Sequence, residues 1–469
     1  MADKQQNNTA DIANINKLDG RVPLLKAIPF GLQHVLAMFV ANLAPIILIA
    51  GAVKPALDEH QVAGLLQNAI FVSGLATLIQ LYPIWRIGAR LPIVMGVSFT
   101  FVAVLSGIAS AHGYSAVIGA VLVGGVIEGL LGLTVKNWHR IVPPIVSAAV
   151  VTCIGISLFP VGARSFGGGY SPDFGSFRNL ALGFITLLIC LLWNEYAKGY
   201  FKQLSVLVGM IAGYIIALIG GFANLDDVFK GSLISLPKLL PFIPEFNIAD
   251  IVSVSIIFLV SAAETLGDTS AMVRGGLDRD ITDRELSGSI ACDGFTSSLS
   301  ALFGCPPTTS FSQNVGLINM TKVVNRFTIM TGAACLILAG IFPPIAHMFA
   351  AIPPSVLGGC TIAMFGSITA SGFTMISECG FSKRNITIIS LALSIGIGFT
   401  GSGESEIWKE FPEFFRMIFA QNSVATVFII AAALNLFLPK EKKKMDAEEA
   451  RNQSAETAEK PTEPEAADS

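Results

Sequence analysis

Few side chains in this sequence can carry charge inside an apolar stretch, and those few are closely spaced. Glu264 and Asp268 lie in IVSVSIIFLVSAAETLGDTSAM, four residues apart and so on one face of a helix. Asp293 lies in ACDGFTSSLS, and His34 and Glu128 lie in two further apolar stretches. A charge at mid-bilayer costs at least ~2.5–3.5 kcal/mol, so such groups face an interior cavity, pair with one another, or stay protonated. A carboxylate that titrates as a pathway opens to water is what a proton-coupled carrier needs. A second set of residues could read a ligand. Gln313 and Asn314 each present an amide donor pair and an acceptor, an edge that matches a –CO–NH– group in bidentate fashion. A helix N-terminus beside them favours an anion or a carbonyl oxygen. Phe99 and Phe311 could stack on a flat ring. Together these groups suit a planar, neutral or weakly acidic, amide-bearing heterocycle.

Each of these residues also has a structural reading. Glu264 could tie broken backbone together, although interrupted segments nearby offer it a ligand site. Asp268 stands nearer an inner loop and fits a structural, gating or coupling role. Asp293 could cap an interrupted segment through backbone N–H groups. His34 reads as a hydrogen-bonded packing residue before a ligand. Glu128, in GGVIEGLLG, reads as packing or snorkelling, and the Gly125-x-x-x-Gly129 spacing suits close helix contact. Asn314 is expected to satisfy freed backbone groups, leaving Gln313 to bind.

The elements that must position these side chains are unusual. Residues 92–109 (PIVMGVSFTFVAVLSGIA) and 306–322 (PPTTSFSQNVGLINMTK) are interrupted by Pro and Gly, too broken for simple spanning helices. Each starts at Pro and passes a Ser-Phe pair, Ser98-Phe99 and Ser310-Phe311. A second echo links IVPPIVSAAVVTCIGISLF (141–159) with AIPPSVLGGCTIAMFGSIT (351–369) at nearly the same offset. Two echoes at one offset indicate an internal duplication. Paired interrupted segments in the two halves point to a transporter's midplane site, because non-helical backbone at that depth must be buried or line a cavity.

Composition sets the class. Of 469 residues, 52% are hydrophobic and only 13% charged, against ~25% charged in ordinary soluble domains. That excludes a plain cytosolic enzyme, a nucleic-acid binder and a disordered scaffold, and net charge −3 gives no field for a polyanion. Seven scattered Cys show no C-x-x-C or metal-type spacing, and no H-E-x-x-H is present, so no cofactor or metal is expected. Apolar segments fall near 27–49, 61–83, 92–109, 114–134, 141–161, 178–194, 204–223, 249–272, 285–303, 306–322, 326–349, 353–375, 385–401 and 421–438, which makes 14. With the N-terminus inside, only Lys54, Arg164, Arg178, Lys230, Lys238, Lys409 and Arg416 of the 30 basic residues fall outside, as the positive-inside rule requires. Seven spans per repeat is odd, so the second copy enters the membrane inverted. The expected organisation is a cytoplasmic tail 1–25, a first seven-span repeat 26–223, an extracytoplasmic connection 224–248, a second repeat 249–438 and a disordered cytoplasmic tail 439–469.

At these residues the sequence resembles the nucleobase–ascorbate transporter family. The family signature, Gln/Glu/Pro-Asn-x-Gly-x-x-x-x-Thr-Arg/Lys/Gly, is matched by Gln313-Asn314-Val315-Gly316-Leu317-Ile318-Asn319-Met320-Thr321-Lys322. Gln33-His34, Ser98-Phe99, Glu264-x-x-Gly267-Asp268 and Asp293-Gly294 are further family-like pieces, in order over roughly residues 20–440. The resemblance implies an all-α polytopic membrane protein with core and gate domains, two short crossing β-strands in segments 3 and 10, a homodimer, and elevator-like movement. It implies proton symport of a purine nucleobase, xanthine or uric acid, across the cell (inner) membrane. Glu264 and Gln313 would hold the base, Phe99 would stack, and Ser98 would tune which purine fits. Asp268, Asp293, Asn314 and His34 would support the site or the coupling. Ser98 is smaller than the Asn of some xanthine-selective members, which leaves room for urate. The alternatives are a uracil or other nucleobase permease of this family, or a sulfate-permease-like anion transporter; the latter would want basic residues near segments 3 and 10, where the spans have none.

Overall fold

A computed structural model describes residues 12–135, 143–223, 232–401, 407–412, 415, 419–420 and 422–439. The ends of both expected tails (1–11 and 440–469) and the first part of the connection (224–231) lie outside the described residues, as do 141–142 and 421 at the starts of two expected segments. The elements are α1 (Leu24–Ala52), α2 (Glu59–Leu81), β1 (Met95–Val97), α3 (Val102–His112), α4 (Tyr114–Leu133), α5 (Pro144–Ser157), α6 (Phe159–Phe166), α7 (Phe177–Tyr196), α8 (Ser205–Ile219), α9 (Ile248–Leu277), α10 (Asp283–Leu302), β2 (Thr308–Ser310), α11 (Ser312–Thr321), α12 (Arg326–Ala339), α13 (Pro343–Ala350), α14 (Pro354–Cys379), α15 (Lys383–Gly401) and α16 (Ser423–Phe437).

The chain folds as a mostly helical, polytopic membrane protein. Among the described residues, eight helical stretches are long and apolar enough to cross a membrane: α1, α2, α4, α5 with α6, α7, the stretch ending in α8, α9 and α14. The pair α12 and α13, bent by 79°, makes a ninth if counted as one span. The bend falls where Pro343 and Pro344 open α13, since proline lacks the N–H that would continue the preceding helix. The helix starts follow local chemistry. Asp58 and Gln61 form a reciprocal cap on α2, and Thr282 and Glu285 form one on α10.

Between these helices lies a two-stranded antiparallel sheet, with Met95 opposite Ser310, Gly96 opposite Thr309 and Val97 opposite Thr308. So short a pair cannot satisfy its own backbone inside a bilayer, and neighbouring side chains supply the rest. Asn42 Oδ1 accepts from Val97 N–H at 2.7 Å, and Thr77 Oγ1 accepts from Met95 N–H at 3.0 Å. Ser297 Oγ accepts from Thr308 N–H at 3.1 Å, and Ser300 Oγ donates to the Pro306 carbonyl at 2.7 Å. Gly96 is required here: a Cβ would sit 2.8 Å from the Phe311 ring and 2.9 Å from Asn42 Oδ1.

Packing divides the helices into two groups. In one, α4 lies on α10 and α9, α12 lies on α1 and α2, and α3 and α11 fill in against α1 and α9. In the other, α14 packs on α5, α6 and α7, α7 packs on α8, and α15 packs on α16. The seam between α4 and α10 is the tightest around the carboxylates. A Cβ on Gly125 would lie 2.6 Å from the Gly294 carbonyl oxygen, and one on Gly294 would lie 2.6 Å from that of Gly125. Part of the expected N-terminal tail is also bound. Asn325 Nδ2 donates to the carbonyls of Asn14, Lys17 and Gly20 at 3.0–3.1 Å, and the Arg326 guanidinium pairs with Asp19.

Candidate functional site

Both strands run directly into helix starts, and there the ionisable residues collect. Ser98 Oγ accepts from Thr100 N–H at 3.3 Å and caps a short turn, Phe99–Phe101, that leads into α3. Phe311 leads from β2 into α11. One residue past each Phe, a hydroxyl reaches α9. Thr100 Oγ1 donates to Glu264 Oε2 at 2.7 Å, and Ser312 Oγ donates to Asp268 Oδ2 at 2.6 Å. Ser98-Phe99-Thr100 and Ser310-Phe311-Ser312 are thus the same three-residue pattern, and each addresses one of two carboxylates a single turn apart.

Behind them Asp293, on α10, is fully buried. Its Oδ2 accepts from the Thr265 hydroxyl and from Ser310 N–H at 3.4 Å, whereas Oδ1 has no partner among the described residues. Asp293 therefore holds the end of β2 through backbone. Asn314 Nδ2 donates to the His34 carbonyl at 3.0 Å and lies 3.2 Å from His34 Nδ1, which accepts in the tautomer that leaves it unprotonated. This ties α11 to α1, and Asn314 Oδ1 is left without a partner. Gln313 is partly exposed and makes no hydrogen bond to a described residue. Glu264 is also partly exposed, and its Oε1 receives no protein donor there.

The aromatic residues divide. Phe311 is packed over Gly96 and buried in the strand pair. Phe99 stands edge-on to Phe365 of α14, with ring centroids 5.4 Å apart and planes at 82°, and so marks where the two helix groups meet. The structure thus gathers Ser98, Phe99, Glu264, Asp268, Asp293, Gln313, Asn314 and His34 around one strand pair. Sequence reasoning did not single out Thr100, Thr265, Ser312 and Phe365. The signal for Thr100 and Ser312 was present in the echo, one position beyond the Ser-Phe pairs. Glu128, read as packing or snorkelling, is fully buried against this cluster. A separate cleft of about 550 Å³, lined by Asp58, His60, Gln67, Asn68, Lys238 and His347 among others, shares none of these residues.

Partly exposed carboxylate and amide groups, two helix N-termini and an aromatic edge can bind a flat polar ring. Comparison with known proteins decides the family. Residues 25–403 match the family model described as "Permease family". The chain belongs to the nucleobase–ascorbate transporter family. It is 33% identical to the xanthine permease of Bacillus subtilis over 92% of this chain and 98% of that one. It is 32% identical to the uric acid permease PucJ of B. subtilis, over 90% and 95% of the two chains. It is 32% identical to the xanthine permease XanP of Escherichia coli, over 91% and 95%. Its fold is shared with the transmembrane domain of the cyanobacterial bicarbonate transporter BicA (TM-score 0.56, 16% identity, 90% of this chain and 99% of that one). It is shared too with the murine anion transporter Slc26a9 (TM-score 0.60, 10% identity, 91% and 70%). This nucleobase–ascorbate family member is therefore a transporter and not an enzyme.

Proposed function

We propose that this family member is a proton-coupled symporter that imports xanthine, uric acid or both across the cell (inner) membrane. One observation carries the reading. Glu264 and Gln313 keep polar atoms free of protein partners at the junction of two interrupted segments, while the groups around them are tied down. Glu264 accepts an N–H of the base, and the Gln313 amide pairs with a ring –CO–NH– edge. Phe99 stacks, and Ser98 sets the space at the imidazole side. Asp268, Asp293, Asn314 and His34 hold these groups in place or take part in coupling. The names of the relatives favour purines over uracil. An anion carrier of the sulfate-permease type would want a cation at the strand pair, and the nearest residues are acidic or neutral.

The transport cycle we infer is an elevator movement of 14 segments arranged as two inverted seven-span repeats, 26–223 and 249–438, with both termini cytoplasmic and a homodimer as the working unit. Recurring packing supports the repeat: α4 on α9 and α10 in one half has its counterpart in α12 on α1 and α2 in the other. The helix group that carries the strand pair is the moving core, and the group with α14 is the gate. The test is labelled xanthine uptake into cells without their own permeases, with and without an uncoupler, against unlabelled urate, uracil, guanine and sulfate. Uncoupler-sensitive uptake competed by urate is expected. No xanthine or urate uptake by membrane-inserted protein overturns the reading. Glu264→Gln and Gln313→Glu should each lose transport while remaining in the membrane.

A further inference from the structure

Glu128 has no part in the binding site described above, yet it lies at the centre of the α4–α10–α9 packing. It is fully buried, and neither carboxylate oxygen has a hydrogen-bond partner among the described residues. The hydroxyl of Ser261 on α9 lies beside it, and its Oγ is likewise unpartnered. Asp293, next to Gly294 in the α10 face that packs on Glu128, and Glu264 of α9 are the acidic groups of this packing. Asp268 of α9 is bonded to Ser312, and the basic groups on α9, α10 and α3 are engaged elsewhere. Arg274 pairs with Asp280, Arg284 donates to the carbonyls of Trp85 and Gly88, and His112 at the end of α3 is bonded to Asp250 at 2.8 Å. The glycine seam brings the helices this close: a Cβ on Gly294 would lie 2.7 Å from the Glu128 carbonyl carbon.

Hydrogen-bond accounting decides what such a pair can be. Ionised carboxylates only accept, and here Glu128 Oε1, Glu128 Oε2 and Asp293 Oδ1 are all buried without donors. Two buried charges of one sign with no donor are strongly disfavoured. One proton removes a charge and turns one acid into a donor. Asp293 already receives the Thr265 hydroxyl and the Ser310 amide, so it is the member suited to stay ionised. Glu128 has only the Ser261 hydroxyl beside it. We propose that Glu128 is a second coupling residue, which carries the co-transported proton behind the substrate site and shares it with Asp293. Because Asp293 holds the end of β2, the proton's arrival or departure is felt at Ser310 and, two residues further on, at Ser312 and Gln313. This deepens the proton-symport reading and rests on it.

The experiment compares wild type, Glu128→Gln and Glu128→Asp in proteoliposomes. The readouts are accumulation driven by an imposed proton gradient, exchange of internal for external substrate without a gradient, and the infrared carbonyl band of buried carboxylic acid. Glu128→Gln should lose accumulation above the external concentration while exchange persists and the acid band disappears. Glu128→Asp should recover part of the accumulation. Proton-driven accumulation by Glu128→Gln equal to wild type overturns the assignment and leaves the symport reading standing. Loss of exchange together with accumulation, in protein still inserted, assigns Glu128 to structure and also overturns it. If wild-type accumulation follows sodium and not protons, both readings fall. Should the Gln variant not insert, the wild-type spectrum decides, since absence of an acid band at neutral pH refutes a protonated Glu128.

Discussion

Thr100→Val is the sharpest probe of the site, because it removes one hydroxyl and nearly conserves shape. In the structure that hydroxyl donates to Glu264 Oε2 at 2.7 Å, within the range of a charge-assisted bond. A hydrogen bond to a charged group contributes ~1.5–3 kcal/mol, and the oxygen left behind has no other protein donor to turn to. If Glu264 is oriented for the base by this bond, the loss appears as roughly tenfold to hundredfold weaker apparent affinity at 1.4 kcal/mol per decade. Thr100→Ser keeps the donor and should restore most of the affinity. The assay is concentration-dependent uptake of labelled xanthine or urate, normalised to protein in the membrane. The apparent KM should rise for Val and not for Ser. An unchanged KM for the Val variant would refute the claim that Thr100 positions Glu264. A Ser variant as damaged as Val would trace the effect to packing, since Thr100 is itself buried.

Ser98→Asn keeps a side-chain acceptor for the Thr100 amide but adds bulk beside Phe99, so competition by urate should fall relative to competition by xanthine; unchanged competition removes Ser98 from substrate selection. Gly125→Val forces a side chain against the Gly294 carbonyl, and overpacking of about 1–3 kcal/mol should lower the thermal unfolding midpoint of the purified protein, read by intrinsic fluorescence. Gly107→Ala, inside α3 at a position where a Cβ meets nothing within 4 Å, should hold or raise that midpoint, since Ala is favoured over Gly in a helix interior by ~0.5–1 kcal/mol.

Much of this arrangement could be read before the structure, because its causes are local. Hydropathy placed α1, α4, α7 and α9 to within a few residues, since a bilayer fixes how long an apolar run must be. Pro92, Gly96, Pro306 and Pro307 marked the interrupted segments because those residues cannot extend a helix. The break at Pro343 is as visible in principle, yet hydropathy takes 326–349 as one span because it ignores direction. The hydroxyl partners were hidden for another reason. Thr100 meets Glu264 across 164 positions, and nothing in either neighbourhood selects that pairing. Glu128 shows the limit most clearly. Its distance from an inner loop suggested a side chain reaching for water, whereas the glycine seam with α10 encloses it.

The two hydroxyl–carboxylate bonds carry an implication for how the site moves. Each interrupted segment is anchored to the same helix, α9, by a residue at the same place in its pattern. Asp293 and Thr265 add an anchor from β2 to α10 and α9, and Asn42 anchors β1 to α1. Sliding one strand past the other would therefore strand several buried donors and acceptors at once, each at the cost of a lost hydrogen bond in a medium without water. The contact of Phe99 with Phe365 contains no hydrogen bond and can be broken and remade against another apolar surface. Motion is cheapest between the two helix groups, where the Phe99–Phe365 contact is apolar and a long hydrogen bond from Ser147 Oγ to the Ala263 carbonyl (3.3 Å) has to be remade, and not within the strand pair. In the elevator movement proposed above, the groups proposed to bind substrate would travel together as one body, with the Phe99–Phe365 contact on the sliding face.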